Sequence, residues 1–384
     1  MDEFQMRQVA VQRVLAGEKV SMVSRSYGKS RKWLYLWMAR FEQQASDPKW
    51  FEDQSKAPKN KPTKITDTIE QRVLAIRKEL QDRNYAQTGA IAIQYEFHHR
   101  SWQAPAVWTI NRILARHGIS KEVISPRERK EYPVLFAHVH QMDFVGPRYI
   151  KGDGRFYSVN IIDTLTHTAF VKAIRCKTAE GSLLALVEFW SSYGMPDALQ
   201  MDNDLAFRGS NRHPRSFGNV VRLALSQGVA PVFIPMGEPW RNGIIEKFND
   251  TYDKRFLRKI TFTSFAHLGQ AEKDFTNFHN QHHRYSPHQH RTPWQMTEQT
   301  GKPVAYTGDI HKQPRIPLRH GCVYFVRFIR SDLKLQINTE AFFVKPALKY
   351  SYVVAEVNID NHCIIVRQNN EIIQVFDYPM PVDW

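Results

Sequence analysis

Between residues 4 and 42 the apolar positions recur at helical spacing, and Val9, Val11, Val14 and Leu15 form a first run that Gly17 breaks. Ser21 opens a short second run through Tyr27, Gly28-Lys29 makes a turn, and Ser30 stands where it would cap a third helix, RKWLYLWMARF. In that helix Leu34, Trp37, Met38 and Phe41 point inward, which leaves Lys29, Arg31, Lys32, Tyr35 and Arg40 on the outside. Helix, glycine turn, helix over residues 1–42 is the helix-turn-helix pattern, whose last helix enters the major groove of DNA. A plain helical hairpin with a basic outer face fits the same residues.

Residues 43–65 break the periodicity with three prolines and five lysines and predict a semi-extended linker able to lie along a DNA backbone. Helical spacing returns over 67–122. IEQRVLAIRKEL sets Val73, Ile76 and Leu80 on one side. APAVWTINRILARHGIS turns Val107, Ile110, Ile113 and Leu114 inward and Trp108, Arg112 and Arg116 outward, with Pro105 in its first turn and Gly118 past its end. This predicts a second helix-turn-helix unit, and two such units would read a longer site than one.

From Val134 the period shifts. LFAHVHQMDFVG, RFYSVNIID and TAFVKAIR are strand-like, AEGSLLALVEFWSSYG helical, DALQMD strand-like, SFGNVVRLALSQG helical and APVFIP a short strand. Two further helices follow at about 240–257 and 264–282. Residues 134–300 therefore predict an α/β domain, a mixed sheet with helices against it. Over 315–384 short alternating runs such as HGCVYFVRFI, YVVAEVN and EIIQVF, divided by polar turns, predict a small all-β barrel. The fold class is thus multidomain.

The chain of 384 residues carries 53 Lys+Arg against 38 Asp+Glu, a net charge of +15, which points to nucleic acid as partner. No apolar run reaches the roughly 18 residues of a membrane span, and the N-terminus lacks an apolar signal core, so a cytoplasmic protein with no membrane partner is expected. Cys176, Cys322 and Cys363 lie far apart, which excludes a disulfide scaffold and a cysteine zinc finger.

Against that basic background three acids occupy special places. Asp143 ends the strand HVHQMD, Asp202 ends DALQMD, and Glu246 lies in the first turns of the helix after Gly243. Each alone is a common structural choice, since acids suit strand ends and first helical turns. Brought together, they would repel unless a cation neutralised them, and oxygen ligands suit Mg²⁺. Two such ions about 4 Å apart can activate an attacking oxygen and stabilise a leaving one at a phosphodiester. His279, His282, His283, His288 and His290 cluster without cysteines or zinc spacing and predict DNA contact or packing.

HVHQMDFVG, ALQMDNDLAF and GEPWRNGIIEKFNDTYDKRF together resemble the catalytic core of DDE-type transposases and retroviral-like integrases, nearest to bacterial insertion-sequence transposases. HNQHHRYSPHQHRTPWQM resembles that family's downstream segment. The resemblance covers nearly the whole chain and is strongest over 134–300. It implies an RNase H-like core in which Asp143, Asp202 and Glu246 match the metal-binding catalytic acids, holding two Mg²⁺ ions for which Mn²⁺ substitutes.

It further implies a prokaryotic, nucleoid-associated transposase that binds the terminal inverted repeats of a mobile element. The enzyme would cleave 3′ ends and transfer them to target double-stranded DNA, working as a dimer or tetramer on DNA. Trp240, Arg241, Asn242 and Lys247 are the candidates for placing DNA beside the acids. Three features depart from the family pattern: Asp204 stands where glycine is usual, residues 208–219 resemble an inserted loop, and Ser286 replaces a common arginine, with Arg284 near. An inactive site-specific DNA-binding regulator and an RNase H-like nuclease without strand joining are the rivals.

Overall fold

Ser30 accepts a hydrogen bond from the Trp33 amide at 3.2 Å and so starts the third helix where the pattern sets it. The computed structural model describes residues 2–44, 46–53, 65–119, 131–212, 215–308, 316–318 and 320–381. These divide into two compact units, Met1–Ile65 and Thr66–Trp384.

The first unit holds α1 (Glu3–Leu15), α2 (Val20–Ser26) and α3 (Arg31–Gln43) around Ala10, Val11, Val23, Leu34 and Trp37. Gly28, at φ +63°, makes the turn between α2 and α3, a conformation open to glycine at little cost. Residues 46–53, expected as part of an extended linker, fold back instead. Trp50 packs edge-on against Phe41, and the buried Arg7 donates to the Phe51 carbonyl at 2.9 Å while lying over the Trp37 ring. Two aromatics and a buried cation outweigh the local lack of periodicity.

The second unit begins with α4 (Asp67–Asp82), α5 (Ala90–His99) and α6 (Val107–Arg116), closed on Val73, Ile76, Leu80, Ile93, Phe97, Ile110 and Ile113. Residues 100–106 link α5 to α6, a longer connection than the roughly three- to four-residue turn of a helix-turn-helix.

The rest of the unit is built on one sheet. Its strands are β1 (Val139–Ile150), β2 (Gly154–Asp163), β3 (Ala169–Ile174), β4 (Ala198–Met201), β5 (Ala230–Phe233), β6 (Cys322–Phe328), β9 (Tyr352–Asn358), β10 (Cys363–Gln368) and β11 (Glu371–Asp377). A separate hairpin supplies β7 (Lys334–Ile337) and β8 (Glu340–Phe343). The helices are α7 (Ala179–Tyr193), α8 (Leu205–Arg208), α9 (Asn219–Ser226), α10 (Gly243–Tyr252), α11 (Phe265–His282) and α12 (Pro293–Thr300). A π-helical turn, Asp253–Leu257, continues α10.

The nine strands run β11-β10-β9-β6-β5-β4-β1-β2-β3. β1, β2 and β3 form an antiparallel meander, and β4 and β5 join parallel to β1 through helical crossovers. Neighbouring residues of each strand face opposite sides: Ile161 joins the core that includes Phe189, Trp190 and Val221, while Ile162 joins the one formed with Phe248, Tyr252 and Phe275.

The C-terminal strands correct the expectation of a small barrel. β6 pairs parallel with β5 (Val232 opposite Tyr324, Phe233 opposite Phe325), and β9, β10 and β11 follow antiparallel, so these strands extend the core sheet. Alternation identifies a strand but not its partner, and β5 would otherwise present an open edge. Arg215, in the stretch resembling an insertion, gives two bonds at 2.9 and 2.8 Å to Glu340 at the start of β8, in the separate hairpin. At the root of that stretch Gly209 and Gly218 touch backbone to backbone: a Cβ on Gly209, itself at φ +109°, would lie 2.5 Å from the Gly218 nitrogen.

Candidate metal and nucleic-acid site

In the parallel register of β1 and β4, Gln141 stands opposite Gln200 and Met142 opposite Met201. Asp143 follows within β1, which does not end there as expected but runs on beside β2 to Ile150, and Asp202 follows the last residue of β4, so the two stand next to each other where the parallel pairing of β1 and β4 ends. The two glutamines fasten α10 to this end. Gln141 Oε1 accepts from the Ile245 amide at 2.9 Å, and Gln200 Nε2 donates to Asn242 Oδ1 at 2.7 Å and to the Arg241 carbonyl at 3.2 Å. Glu246 is the residue after Ile245. One turn on, Asn249 Nδ2 donates to Asp143 Oδ2 at 2.9 Å, while Asn249 Oδ1 accepts from Asn160 Nδ2 at 2.7 Å.

Burial pushes Asp143 up to about 7, the charge of Asp202 pushes the same way, and Glu246 adds to it; the Phe144 amide and Lys177 oppose. Asp202 is raised chiefly by burial, and Glu246 is raised by burial as well. Crowded, half-buried carboxylates of this kind are costly in charged form until a cation joins them. An all-oxygen donor set fits a hard divalent ion such as Mg²⁺.

Asp204 serves the backbone of this corner. Its amide donates to Asp202 Oδ1 at 3.0 Å, its Oδ1 caps α8 through the Ala206 amide at 2.9 Å, and its Oδ2 pairs with Lys177 at 3.2 Å. From the sheet extension the buried Arg327 donates to Asn203 Oδ1 at 2.7 Å, to the Ile234 carbonyl at 3.0 Å and to the Gln336 carbonyl at 2.8 Å. The C-terminal strands thus brace the loop that follows Asp202.

The predicted DNA contacts divide by what already holds them. In the first unit Tyr35 is exposed, as are Arg31 and Lys32, whereas Lys29 lies 3.9 Å from Glu3 and Arg40 donates to the Glu52 carbonyl at 3.2 Å. In the second, Trp108 is exposed with Arg112 over its ring, and Arg116 pairs with Glu70 at 3.2 Å. Trp240 and Lys247 are exposed. Asn242 is buried against Gln200, and Arg241 pairs with Glu238 at 3.1 Å and lies over the Tyr132 and Tyr352 rings.

The histidine cluster divides too. His279, His283 and His288 are buried, and His279 bonds Tyr285 while His283 bonds the Tyr85 carbonyl, so these three pack. Elsewhere His138, His140 and Asp163 come within 4.8 Å of one another. The Trp190 indole N–H donates to His140 Nδ1 at 3.2 Å, which leaves the proton on Nε2 and so takes that nitrogen out of metal ligation. Asp163 meanwhile accepts from the Leu165 amide and the Thr166 hydroxyl, the bonds of a turn.

Lys177, Asn249, Asn160 and Arg327 escape sequence reasoning, since none marks the end of a periodic run. The two glutamines carry a visible signal: QMD occurs at 141–143 and again at 200–202. Among the described residues no helix is long and apolar enough to cross a membrane.

Residues 227–293 match the Integrase core domain family. Among solved structures the chain is similar to the HTLV-2 integrase catalytic core domain in complex with magnesium, in its dimeric form. The identity is 18%, over 42% of this chain and 97% of that one, with a TM-score of 0.30. It is similar also to the simian T-cell lymphotropic virus intasome in complex with a PP2A regulatory subunit (13%, 76% and 93%, 0.36) and to the catalytic core domain of BIV integrase (14%, 42% and 94%, 0.32).

Proposed function

We propose that the protein is a transposase or integrase of the DDE type, nearest to those of bacterial insertion sequences. It binds the terminal repeats of a mobile element, cleaves its 3′ ends and joins them to target DNA. The observation that carries this is the placement of Asp143 and Asp202 side by side, with α10 and Glu246 drawn to them by Gln141 and Gln200. The match of residues 227–293 to an integrase core, which includes α10, supports it.

Asp143, Asp202 and Glu246 would hold the divalent cations. Two bound Mg²⁺ or Mn²⁺ ions supply Lewis-acid stabilisation of the attacking and leaving oxygens. Asn249 fixes one oxygen of Asp143, so the carboxylate keeps its direction as charge changes around it. The Asp204 amide does the same for Asp202. Lys177 sits close enough to both aspartates to favour their charged forms. Lys247, next to Glu246, meets the DNA backbone, and the exposed faces of α3 and α6 read the repeats. Joining two ends in one event requires a dimer or larger assembly on DNA, in a prokaryotic cytoplasm.

The test is strand transfer with Mg²⁺, a labelled duplex bearing the element's own end and a plasmid target, beside Asp202→Asn. Joined product that the substitution abolishes is expected. Cleavage without joining would leave a nuclease, and specific end binding without cleavage in Mg²⁺ or Mn²⁺ a regulator.

A further inference from the structure

Where α5 and α6 face α10, the surface sinks into a groove of about 490 Å³. Lys247 of α10, Lys254 and Arg255 of the π-helical turn and Arg284 beyond α11 line it, with Asn111 of α6 opposite. Asp250 is the one carboxylate among the described lining residues, and Lys254 holds it at 2.6 Å.

The hydrogen bonds of Arg255 and Arg284 go to neutral groups, and Asp250 acts on Arg255 through its charge. Arg255 bonds the Thr88 hydroxyl, and Arg284 donates to the His290 carbonyl at 2.9 Å and lies over the Tyr95 ring at 3.9 Å. Just behind the groove Arg77 grips the Thr88 carbonyl, so two guanidinium groups close on one residue. Burial and then the charge of Arg255 hold Arg77 below the ordinary arginine range. The Nε atoms of Arg77 and Arg284 are buried without a partner.

The walls of this groove are fixed to each other. Gln87 exchanges two bonds with the Arg284 backbone, at 3.1 and 2.7 Å, and Tyr85 packs against Phe256, Phe275 and Phe278. Positive charge is therefore gathered and held in place, with Asp250 as the single carboxylate among the described lining residues to set against four cations.

We infer that this groove binds the sugar-phosphate backbone of a DNA strand on its way to the three acids, and that the second helical unit is a built-in wall of the catalytic cleft. The inference rests on the proposed DNA chemistry and deepens it. Lys247 directly follows Glu246, so the groove opens beside the acids. Lys247 and Lys254 stand about 10 Å apart along α10 and the π-helical turn that continues it, at roughly 1.5 Å per residue. That matches about three phosphates of one strand at roughly 3.4 Å of duplex axis each. A single small anion would meet only part of such a row.

The experiment is lysine acetylation of the full chain, read by mass spectrometry, with and without a short duplex of arbitrary sequence and with no divalent metal present. Lys247 and Lys254 should be protected at least about threefold, and the exposed Lys151 and Lys273 should not. In parallel, the double variant Lys247→Glu/Lys254→Glu should lower the log–log salt slope of DNA binding by about 2, at roughly 0.9 per phosphate contact, while Lys151→Glu/Lys273→Glu leaves it unchanged. Equal acetylation at saturating DNA, or equal slopes for the two double variants, overturns the inference. Protection that depends on protein concentration alone also overturns it and assigns the groove to a second copy of the chain. Because no metal is present, the outcomes separate: protection without strand joining means that the catalytic proposal alone has failed. Joining with unprotected lysines means that the groove alone has failed.

Discussion

Gln141 and Gln200 stand opposite each other in the parallel register of β1 and β4, and both reach across to the start of α10. One pair of neighbouring side chains thereby sets where Glu246 lies relative to Asp143 and Asp202. Gln141→Leu removes the acceptor of the Ile245 amide, and an unsatisfied buried donor costs about 1–3 kcal/mol. Urea denaturation should show a loss of that size. Mg²⁺-dependent joining should fall by about tenfold or more, because a small displacement of a reacting group is enough to do so. A variant with unchanged joining would show that α10 is placed by something else.

Metal binding should release protons. With Asp143 raised to about 7, the metal-free protein holds a proton on this carboxyl at pH 6 and has mostly lost it at pH 8. A divalent ion requires the charged form, so Mg²⁺ affinity should rise over that interval. Calorimetry in buffers of different ionisation enthalpy should find proton release at pH 6 that largely disappears at pH 8. Release of equal size at both would exclude Asp143 as its source.

Asp204 holds a helix cap and Lys177, so it is a support for the acids. Asp204→Gly should lower stability by only a few tenths of a kcal/mol, because glycine is itself a tolerated N-cap, and the loss of an exposed pair adds less than about 1 kcal/mol. Mn²⁺ binding measured by electron paramagnetic resonance should keep the native number of ions. Loss of an ion would make Asp204 a ligand.

Stability should respond to pH through two opposed sets of buried groups. Burial holds His140 down to about 3 and His167 and His283 down to about 4, so the folded chain keeps them neutral where the unfolded chain takes up protons. Their contribution is present above about pH 6.5 and is lost as pH falls towards 4. Glu272 behaves in the opposite sense. Burial raises it to about 7 although Tyr252, Ser158 and the Ala173 amide all donate to it, so its contribution is full below 4.5 and lost as pH rises through 7. Asp143, also raised to about 7, acts with Glu272, but the shifts of the three histidines together outweigh these two, and denaturation midpoints should drop on acidification. The stability difference between the native chain and Glu272→Gln should shrink by about 3 kcal/mol from pH 4.5 to above 7. A constant difference would show that Glu272 is charged throughout.

Much of the site can be read along the chain because its acids end apolar runs. The repeated QMD is the plainest mark: in each copy the glutamine reaches the start of α10, the methionine enters the core and the aspartate follows the last residue of the β1–β4 pairing. What holds the acids is hidden from such a reading. Arg327 is an ordinary alternating position of a distant strand, yet it braces Asn203 beside Asp202. Asn249 follows Glu246 at helical spacing, but its partner Asp143 lies on another element. The supposed barrel fails for the same reason, as alternation in CVYFVRF reports a strand and is silent about β5 as its neighbour. Likewise, the returning segment 46–53 is recognised only through Arg7 and Phe41, on helices that precede it.

The central claim is that Asp143, Asp202 and Glu246 form one divalent-metal site. Anomalous diffraction from crystals soaked in Mn²⁺ tests it most directly. The account predicts anomalous peaks in contact with the Asp143 and Asp202 carboxylates and with Glu246. Peaks confined to His138, His140 and Asp163, or none beside the three acids at saturating Mn²⁺, would contradict it.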